Sequence, residues 1–226
     1  MSKGVFFATP SFDCNVTVEH SGSMVNAVKL LQARGYDSVL GSSLGCCFVD
    51  RARCKLVHYF LHETDLDDFF FIDADIGFDY RVIPHFLDSP HEIVVGIPPK
   101  RNYPVEYHVA GATNKVEHGC FEVKDAPTAF MRIKRSVFAQ MDEKYEFSKS
   151  MIEGLPGDDG AAPYFQCGVF NGGFMGEDIF FCRLWAALGK SIWVMPNIEF
   201  THRGSHPFKG NLWTHFIDTK QVTLKE

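Results

Sequence analysis

Two aspartates one residue apart, Asp73 and Asp75, follow directly on the apolar run Phe69-Phe70-Phe71-Ile72, and Gly77 closes the stretch. An apolar run of this length, preceded by the polar residues 63–68, has the composition of a strand covered on both faces, as in parallel α/β sheets. Such sheets carry their ligand sites at the C-terminal ends of strands, where these two carboxylates fall. In an extended chain, residues two apart project to one side. Asp73 and Asp75 are therefore expected to bring anionic oxygens together, which calls for a cation or a hydrogen-bond donor between them. Hard oxygen ligands of this kind suit Mg²⁺ or Mn²⁺ better than zinc. The competing reading is that the pair only caps a following helix, which serves an arbitrary Asp-x-Asp equally well; the apolar approach favours a site.

Two further stretches carry reactive groups. Asn171-Gly172-Gly173-Phe174-Met175-Gly176-Glu177-Asp178 reads as a glycine-rich loop entering a helix over 179–188, with Ile179, Phe180, Cys182, Leu184, Trp185 and Leu188 on its buried side. Carboxylates are favoured at a helix N-terminus by the dipole alone, so Glu177 and Asp178 gain a chemical role only from what surrounds them. Near the end, residues 198–210 form a polar, glycine-rich stretch holding His202 and Lys209, both of ligand type. A lone histidine is more often a hydrogen-bonded structural residue than a metal ligand.

The elements expected to position these groups follow from periodicity. Residues 5–8 read as a strand ending in the turn Thr9-Pro10-Ser11. Ser21-Gly22-Ser23 offers a cap for a helix over 24–34, stopped by Gly35. A second strand is expected at 37–40, a flexible loop at 41–45, and a helix from Asp50 to about His62. This strand, helix, strand, helix, strand order is the pattern of a parallel sheet with right-handed crossovers, which would make Thr9, Ser42 and Asp73 neighbours. Beyond it come a short helix from Asp79 to Leu87, a strand at 92–96 and an irregular loop at 98–104, expected to be mobile or to face substrate. An antiparallel section at 115–123, a strand at 129–133, a short helix at 136–143, a loop at 154–160 and a strand at 191–194 complete the reading.

At 226 residues, 46% hydrophobic and 22% charged, the chain suits one α/β domain. A formal net charge of −6 argues against a nucleic-acid binder that relies on a broad basic surface, so any phosphate ligand needs local cations. No apolar stretch approaches the roughly 20 residues needed to span a bilayer, and the start enters a strand rather than a signal peptide. Seven cysteines without a Cys-x-x-Cys pair suit reduced thiols, and the chain is expected to be cytoplasmic. Asn15-Val16-Thr17 matches a glycosylation sequon, a pattern of little weight without export.

Thr9-Pro10, the Asp73-Ala74-Asp75 strand end, Gly176-Glu177-Asp178 heading a helix, and His202 with Gly204 and Lys209 together resemble a GT-A glycosyltransferase. The resemblance spans residues 4–210 and extends to the glycosyltransferase domains of the chloroviruses, large algal viruses, which build the glycans on their capsid protein. It implies one GT-A domain over 1–226: a nucleotide-binding half at about 1–104, an acceptor-side half at about 105–210 and a tail at 211–226, with a mainly parallel central sheet and a small antiparallel section. It implies that Asp73 contacts the nucleotide ribose or the metal, that Asp75 binds Mn²⁺ or Mg²⁺ directly, and that His202 completes the coordination. Lys209 is placed like a residue reaching the diphosphate, while Thr9, Ser42 and Arg53 sit where the nucleotide pocket forms. Relatives often have Arg-Asn where this chain has Arg53-Cys54.

The implied reaction moves a hexose or deoxyhexose, glucose or rhamnose, from a UDP-sugar donor to a glycan or glycoprotein acceptor. A sugar nucleotide becomes a good electrophile only when the departing diphosphate is neutralised, which a carboxylate-bound cation does. Asp178, with Glu177 beside it, is the candidate base for the acceptor hydroxyl; with retention of configuration the same carboxylate would orient the acceptor instead. Phe170, Phe174 and Trp213 have the chemistry to stack on sugar faces, although aromatic residues are more often core. The competing functions are a nucleotidyltransferase, a non-catalytic carbohydrate-binding module and, less well matched at Gly77, a haloacid-dehalogenase-type phosphatase.

Overall fold

The computed structural model describes residues 2–147, 160–170, 172–219 and 221. Most of the loop expected at 154–160, and Asn171, lie outside the described residues. The chain opens with β1 (Ser2–Ser11), α1 (Val18–Ala33), β2 (Asp37–Leu44), α2 (Val49–Glu63) and β3 (Leu66–Ile72). The middle runs through β4 (Ile76–Phe78), a 3₁₀ turn at Tyr80–Val82, α3 (Ile83–Asp88), β5 (Ile93–Val95), β6 (Val116–Glu117), β7 (Cys120–Val123), β8 (Phe130–Lys134) and α4 (Arg135–Lys144). The last part holds β9 (Gly168–Phe170), β10 (Gly173–Met175), α5 (Glu177–Ala186), β11 (Ile192–Val194), β12 (Phe200–Arg203), β13 (Pro207–Gly210) and α6 (Leu212–Asp218).

An eight-stranded sheet of order β2-β1-β3-β8-β5-β11-β7-β6 forms the centre. β1 pairs in parallel with β2 and β3, and β11 with β5, whereas β8 and β7 run against their neighbours. Because strand side chains alternate, Phe6, Ala8, Phe69 and Phe71 face α2, α4 and α5 on one side of the sheet. Their neighbours Val5, Phe7, Phe70 and Ile72 face α1 and α3 on the other. The continuous apolar reading of 69–72 is thus a strand buried on both faces, in a mixed α/β fold with a large, mainly parallel sheet. Two small antiparallel sheets, β9 with β10 and β4 with β12 and β13, lie outside it.

Several boundaries differ from the sequence expectation, each for a physical reason. β1 runs through Thr9-Pro10-Ser11 because its pairing with β2 continues to Ser11 and Leu44. β2 likewise runs through Gly41, where a loop was expected: the Phe6 ring lies where a Cβ at Gly41 would be, so the glycine makes room for packing and not for a bend. α1 starts at Val18 because the Thr17 side chain accepts the amide of His20 at 3.2 Å, which leaves Ser21-Gly22-Ser23 inside the helix. The polar stretch at 200–210 is the β12–β13 hairpin, part of the glycine-rich loop before Glu177 is the β9–β10 hairpin, and the expected tail at 211–226 begins as α6, capped by Asn211.

Candidate functional site

The parallel strands β1, β2 and β3 end together, and the segments after them are tied by backbone hydrogen bonds. Gly45 N–H donates to Ser11 O at 2.9 Å, and Thr17 N–H donates to Ala74 O at 2.9 Å. Residues 73–75 form a turn closed by Ile76 N–H on Asp73 O at 3.0 Å, so strand alternation no longer governs Asp73 and Asp75. Both line one cleft of about 610 Å³, shared with residues of the two other segments and with Arg53, Arg101, Arg203 and Gly204. Their carboxylates nevertheless engage different cations.

Asp73 is held by Arg53. The guanidinium donates from Nη1 and Nη2 to the two carboxylate oxygens at 3.0 and 3.2 Å and from Nε to Glu177 Oε1 at 3.1 Å, while stacking over the Phe71 ring at 4.8 Å. Burial works against charge on Arg53, but Asp73 and Glu177 outweigh it, and the guanidinium is held more firmly protonated than usual. Arg53 therefore joins α2, the end of β3 and the first turn of α5. Two of the expected site residues meet here through a third, and Asp73 is satisfied by arginine. The Cys54 that follows Arg53 faces the core: its thiol donates to Phe165 O at 3.3 Å, and burial pushes its pKa up to about 12.

Asp75 lies toward β12. His202 Nε2 and Arg101 Nη1 approach its Oδ2 at 3.3 and 3.2 Å, and the Arg203 amide donates to its carbonyl at 2.9 Å. Burial raises the Asp75 pKa, but the hydrogen bond and charge of His202, with the charge of Arg101, more than reverse this and hold the carboxyl below its ordinary value. His202 Nδ1 sits 2.7 Å from Pro99 O, an acceptor only, so Nδ1 carries a proton. Nε2 then presents to Asp75 either a second N–H or a lone pair that a cation must bridge.

Among the described residues no group of three His, Cys, Asp or Glu side chains is arranged to hold a metal ion. The expected trio Asp73, Asp75 and His202 is divided, because Asp73 faces Arg53. Asp75 and His202 do fit as a pair: two ligands at about 2.1 Å and at right angles lie roughly 3.0 Å apart, and such cations keep water or phosphate oxygens in their other positions. The Nδ1–H to carbonyl bond is the usual support of a metal-binding histidine.

The other expected residues are placed as follows. Thr9 is buried and pairs directly with Ser42, which is exposed on the edge strand; neither lines the cleft. Lys209 pairs with Thr201, out of step with His202, and lines a separate depression with Glu19 and Glu199, so it does not reach the Asp75 cleft. Glu177 is occupied by Arg53. Asp178 Oδ1 accepts the amide of Ile179 at 2.7 Å, and burial followed by the charge of Glu177 raises its pKa. Neither carboxylate lines the cleft itself. Phe170 packs on Phe180 at 4.8 Å, whereas Phe174 is 79% exposed.

Three cleft-side residues were not singled out by the sequence. Arg101 falls in the loop expected to face substrate, and Lys100-Arg101 was the signal there; Gly204 lets it pass, since a Cβ at Gly204 would lie 3.0 Å from Arg101 Cδ. Arg203 adjoins His202 and pairs with Glu19 at 3.1 Å. His20, whose Nδ1 donates to Asp73 O at 3.1 Å, gave no signal, being one helical residue among others.

No protein-family profile and no curated protein sequence matches the chain. Among solved structures, A197 from STIV aligns with a TM-score of 0.53 at 17% identity, over 89% of this chain and 86% of that one, so the two share a fold. A glycosyltransferase involved in the glycosylation of the major capsid of PBCV-1 aligns at 0.35 and 11% identity, over 61% of this chain and 62% of that one. UDP-glucose pyrophosphorylase complexed with UDP-glucose aligns at 0.43 and 12% identity, over 86% and 90%. No helix among the described residues is long and apolar enough to cross a membrane.

Proposed function

We propose that this chain is a metal-dependent GT-A glycosyltransferase that moves a sugar, glucose or rhamnose, from a UDP-sugar to a glycan acceptor. The observation that carries the reading is the cleft at the ends of β1, β2 and β3, where Asp75, His202 and Arg101 converge beside the Arg53–Asp73 pair. This is where an α/β sheet presents its ligand site, and a chain of net charge −6 there gathers Arg101 and Arg203.

In this reading Asp75 and His202 would hold Mn²⁺ or Mg²⁺, whose positive charge would stabilise the departing UDP. Arg101 and Arg203 are side chains exposed enough to turn from Asp75 and Glu19 onto diphosphate oxygens. Arg53 fixes Asp73 for the ribose and holds Glu177, leaving Asp178 as the base. With inversion, the acceptor oxygen bonds to the anomeric carbon as the bond to the diphosphate breaks, and Asp178, which lies outside the cleft lining, would take the hydroxyl proton only from an acceptor seated on the α5 side of the cleft. Its raised pKa brings it nearer the range suited to that role.

The test is calorimetric titration of UDP with and without Mn²⁺, on the native chain and on Asp75→Asn. Binding that requires Mn²⁺ and is lost in the variant supports the reading, and turnover of UDP-glucose and UDP-rhamnose then identifies the donor. Native protein indifferent to UDP under both conditions refutes it, while nucleotide-to-sugar-phosphate coupling identifies a nucleotidyltransferase.

A further inference from the structure

A second cavity, of about 690 Å³, lies between the β6–β7 hairpin and α6 and shares no residue with the Asp75 cleft. Its volume falls within the range of roughly 300–1,000 Å³ typical of small-molecule sites. Aromatic surface comes from Phe121, Trp213 and Phe216, with the Phe121 and Phe216 rings 5.8 Å apart. Asn114, Asn197 and Gln221 supply carboxamides, and none of the described lining residues is charged. The frame is held by hydrogen bonds: Asn211 Oδ1 accepts the amides of Trp213 and Thr214 at 2.9 and 3.2 Å, and Asn211 Nδ2 donates to Asn197 Oδ1 at 3.0 Å. The Asn197 carbonyl oxygen thus already accepts one hydrogen bond, and its NH₂ can donate to a ligand.

This lining selects by chemistry. A phosphate or carboxylate would find no cation among the described lining residues to replace the water it gives up on docking. A purely apolar ligand would crowd three exposed carboxamides and return no hydrogen bond. A pyranose satisfies both demands, with an apolar C–H face for the rings and neutral hydroxyls for the amides. We propose that the cavity binds a neutral saccharide, stacked on Trp213 and Phe216 and hydrogen-bonded by Asn114, Asn197 and Gln221. The inference stands whether or not the Asp75 cleft binds a nucleotide sugar.

The chain's 3 tryptophans give a direct readout. Trp185 is fully buried with its indole N–H on Ser191 O at 3.1 Å, and Trp193 stacks on His91 at 4.0 Å, so Trp213 is the reporter of this cavity. Protein carrying ¹⁵N-labelled indoles is titrated with methyl glucoside, methyl galactoside, methyl mannoside, rhamnose and N-acetylglucosamine. The expected result is a saturable shift of the Trp213 resonance alone with at least one sugar, unchanged in Asp75→Asn and about three- to tenfold weaker in Asn114→Asp, which puts a charge into the neutral lining. The proposal is overturned if no sugar moves Trp213 at concentrations on the order of 50 mM, where millimolar affinity saturates. It is equally overturned if the shift disappears in Asp75→Asn, if glucuronate binds as well as the neutral sugars, or if hexanol shifts Trp213 and no sugar does.

Discussion

Replacing Arg53 with methionine keeps the bulk of the side chain and removes its charge from the centre of the candidate site. The Arg53 side chain is 4% exposed, and its partners Asp73 and Glu177 are 26% and 14% exposed. The substitution deletes three charge-assisted hydrogen bonds and leaves two largely buried carboxylates side by side without a cation. Breaking a buried ion pair from one side costs about 3–5 kcal/mol. Because a quarter of Asp73 still reaches water, the lower end applies, and about 3 kcal/mol is a large part of the roughly 5–15 kcal/mol that stabilises a domain. In a urea titration with a slope of about 2 kcal/mol/M, the midpoint should fall by roughly 1.5 M. The double variant Arg53→Met/Asp73→Asn should recover part of the loss, since one of the two stranded charges is then gone and Glu177 no longer faces a like charge. A single-variant loss below about 1 kcal/mol, or a double variant no better than the single, would refute the reasoning, because the three bonds would then be contributing no more than an exposed pair does.

Other perturbations read other parts of the molecule. Burial pushes the Asp68 carboxyl up to about 6, with Arg132, itself bonded to the carbonyls of Phe86, Ser89 and His91, only partly offsetting it. A native pKa above the unfolded value of about 3.9 means the folded chain holds the proton longer, so this group's effect is a stability loss as pH rises through about 4–6. Asp68→Asn should therefore gain stability at pH 7.5, by up to on the order of 3 kcal/mol, and little at pH 4.5, as measured by urea titration at both pH values. Gly41→Val should cost at least about 1–3 kcal/mol by forcing a side chain into the Phe6 ring, whereas Gly22→Ala, in α1 with open space around it, should be neutral or stabilising in the same assay. Thr17→Ala removes the cap of α1 and should lower stability by about 1 kcal/mol in thermal unfolding.

What could be read from the sequence was the part governed by local periodicity. The apolar runs at 5–8 and 69–72 and the helices between them define a parallel unit without reference to distant residues, and β1, β2 and β3 form it. Gly41 misled because glycine is the same signal for a bend and for a neighbour's bulk, and only the Phe6 ring decides between them. The strands at 168–170 and 173–175 were hidden because they are three residues long and each begins on glycine, those at 200–203 and 207–210 because they are four residues long and part polar, and β12 owes its place to β4, more than a hundred residues earlier in the chain. The site divides the same way. Strand-end chemistry pointed to Asp73 and Asp75, but the partners that give each its role lie far off, Glu177 being 124 residues from Arg53.

That division bears on how an Asp-x-Asp pair is to be understood here. Expecting both carboxylates on one ion rests on extended geometry, and residues 73–75 turn instead. With both Asp73 oxygens on Arg53, moving this carboxylate onto a metal would leave a buried guanidinium with Glu177 as its remaining acidic partner. Asp75 carries no such obligation: its partners Arg101 and His202 come from a loop and a hairpin, and Arg101 is 53% exposed. The first aspartate is therefore committed to joining β3, α2 and α5, and the second is the one whose charge an incoming ion can claim without unmaking the fold.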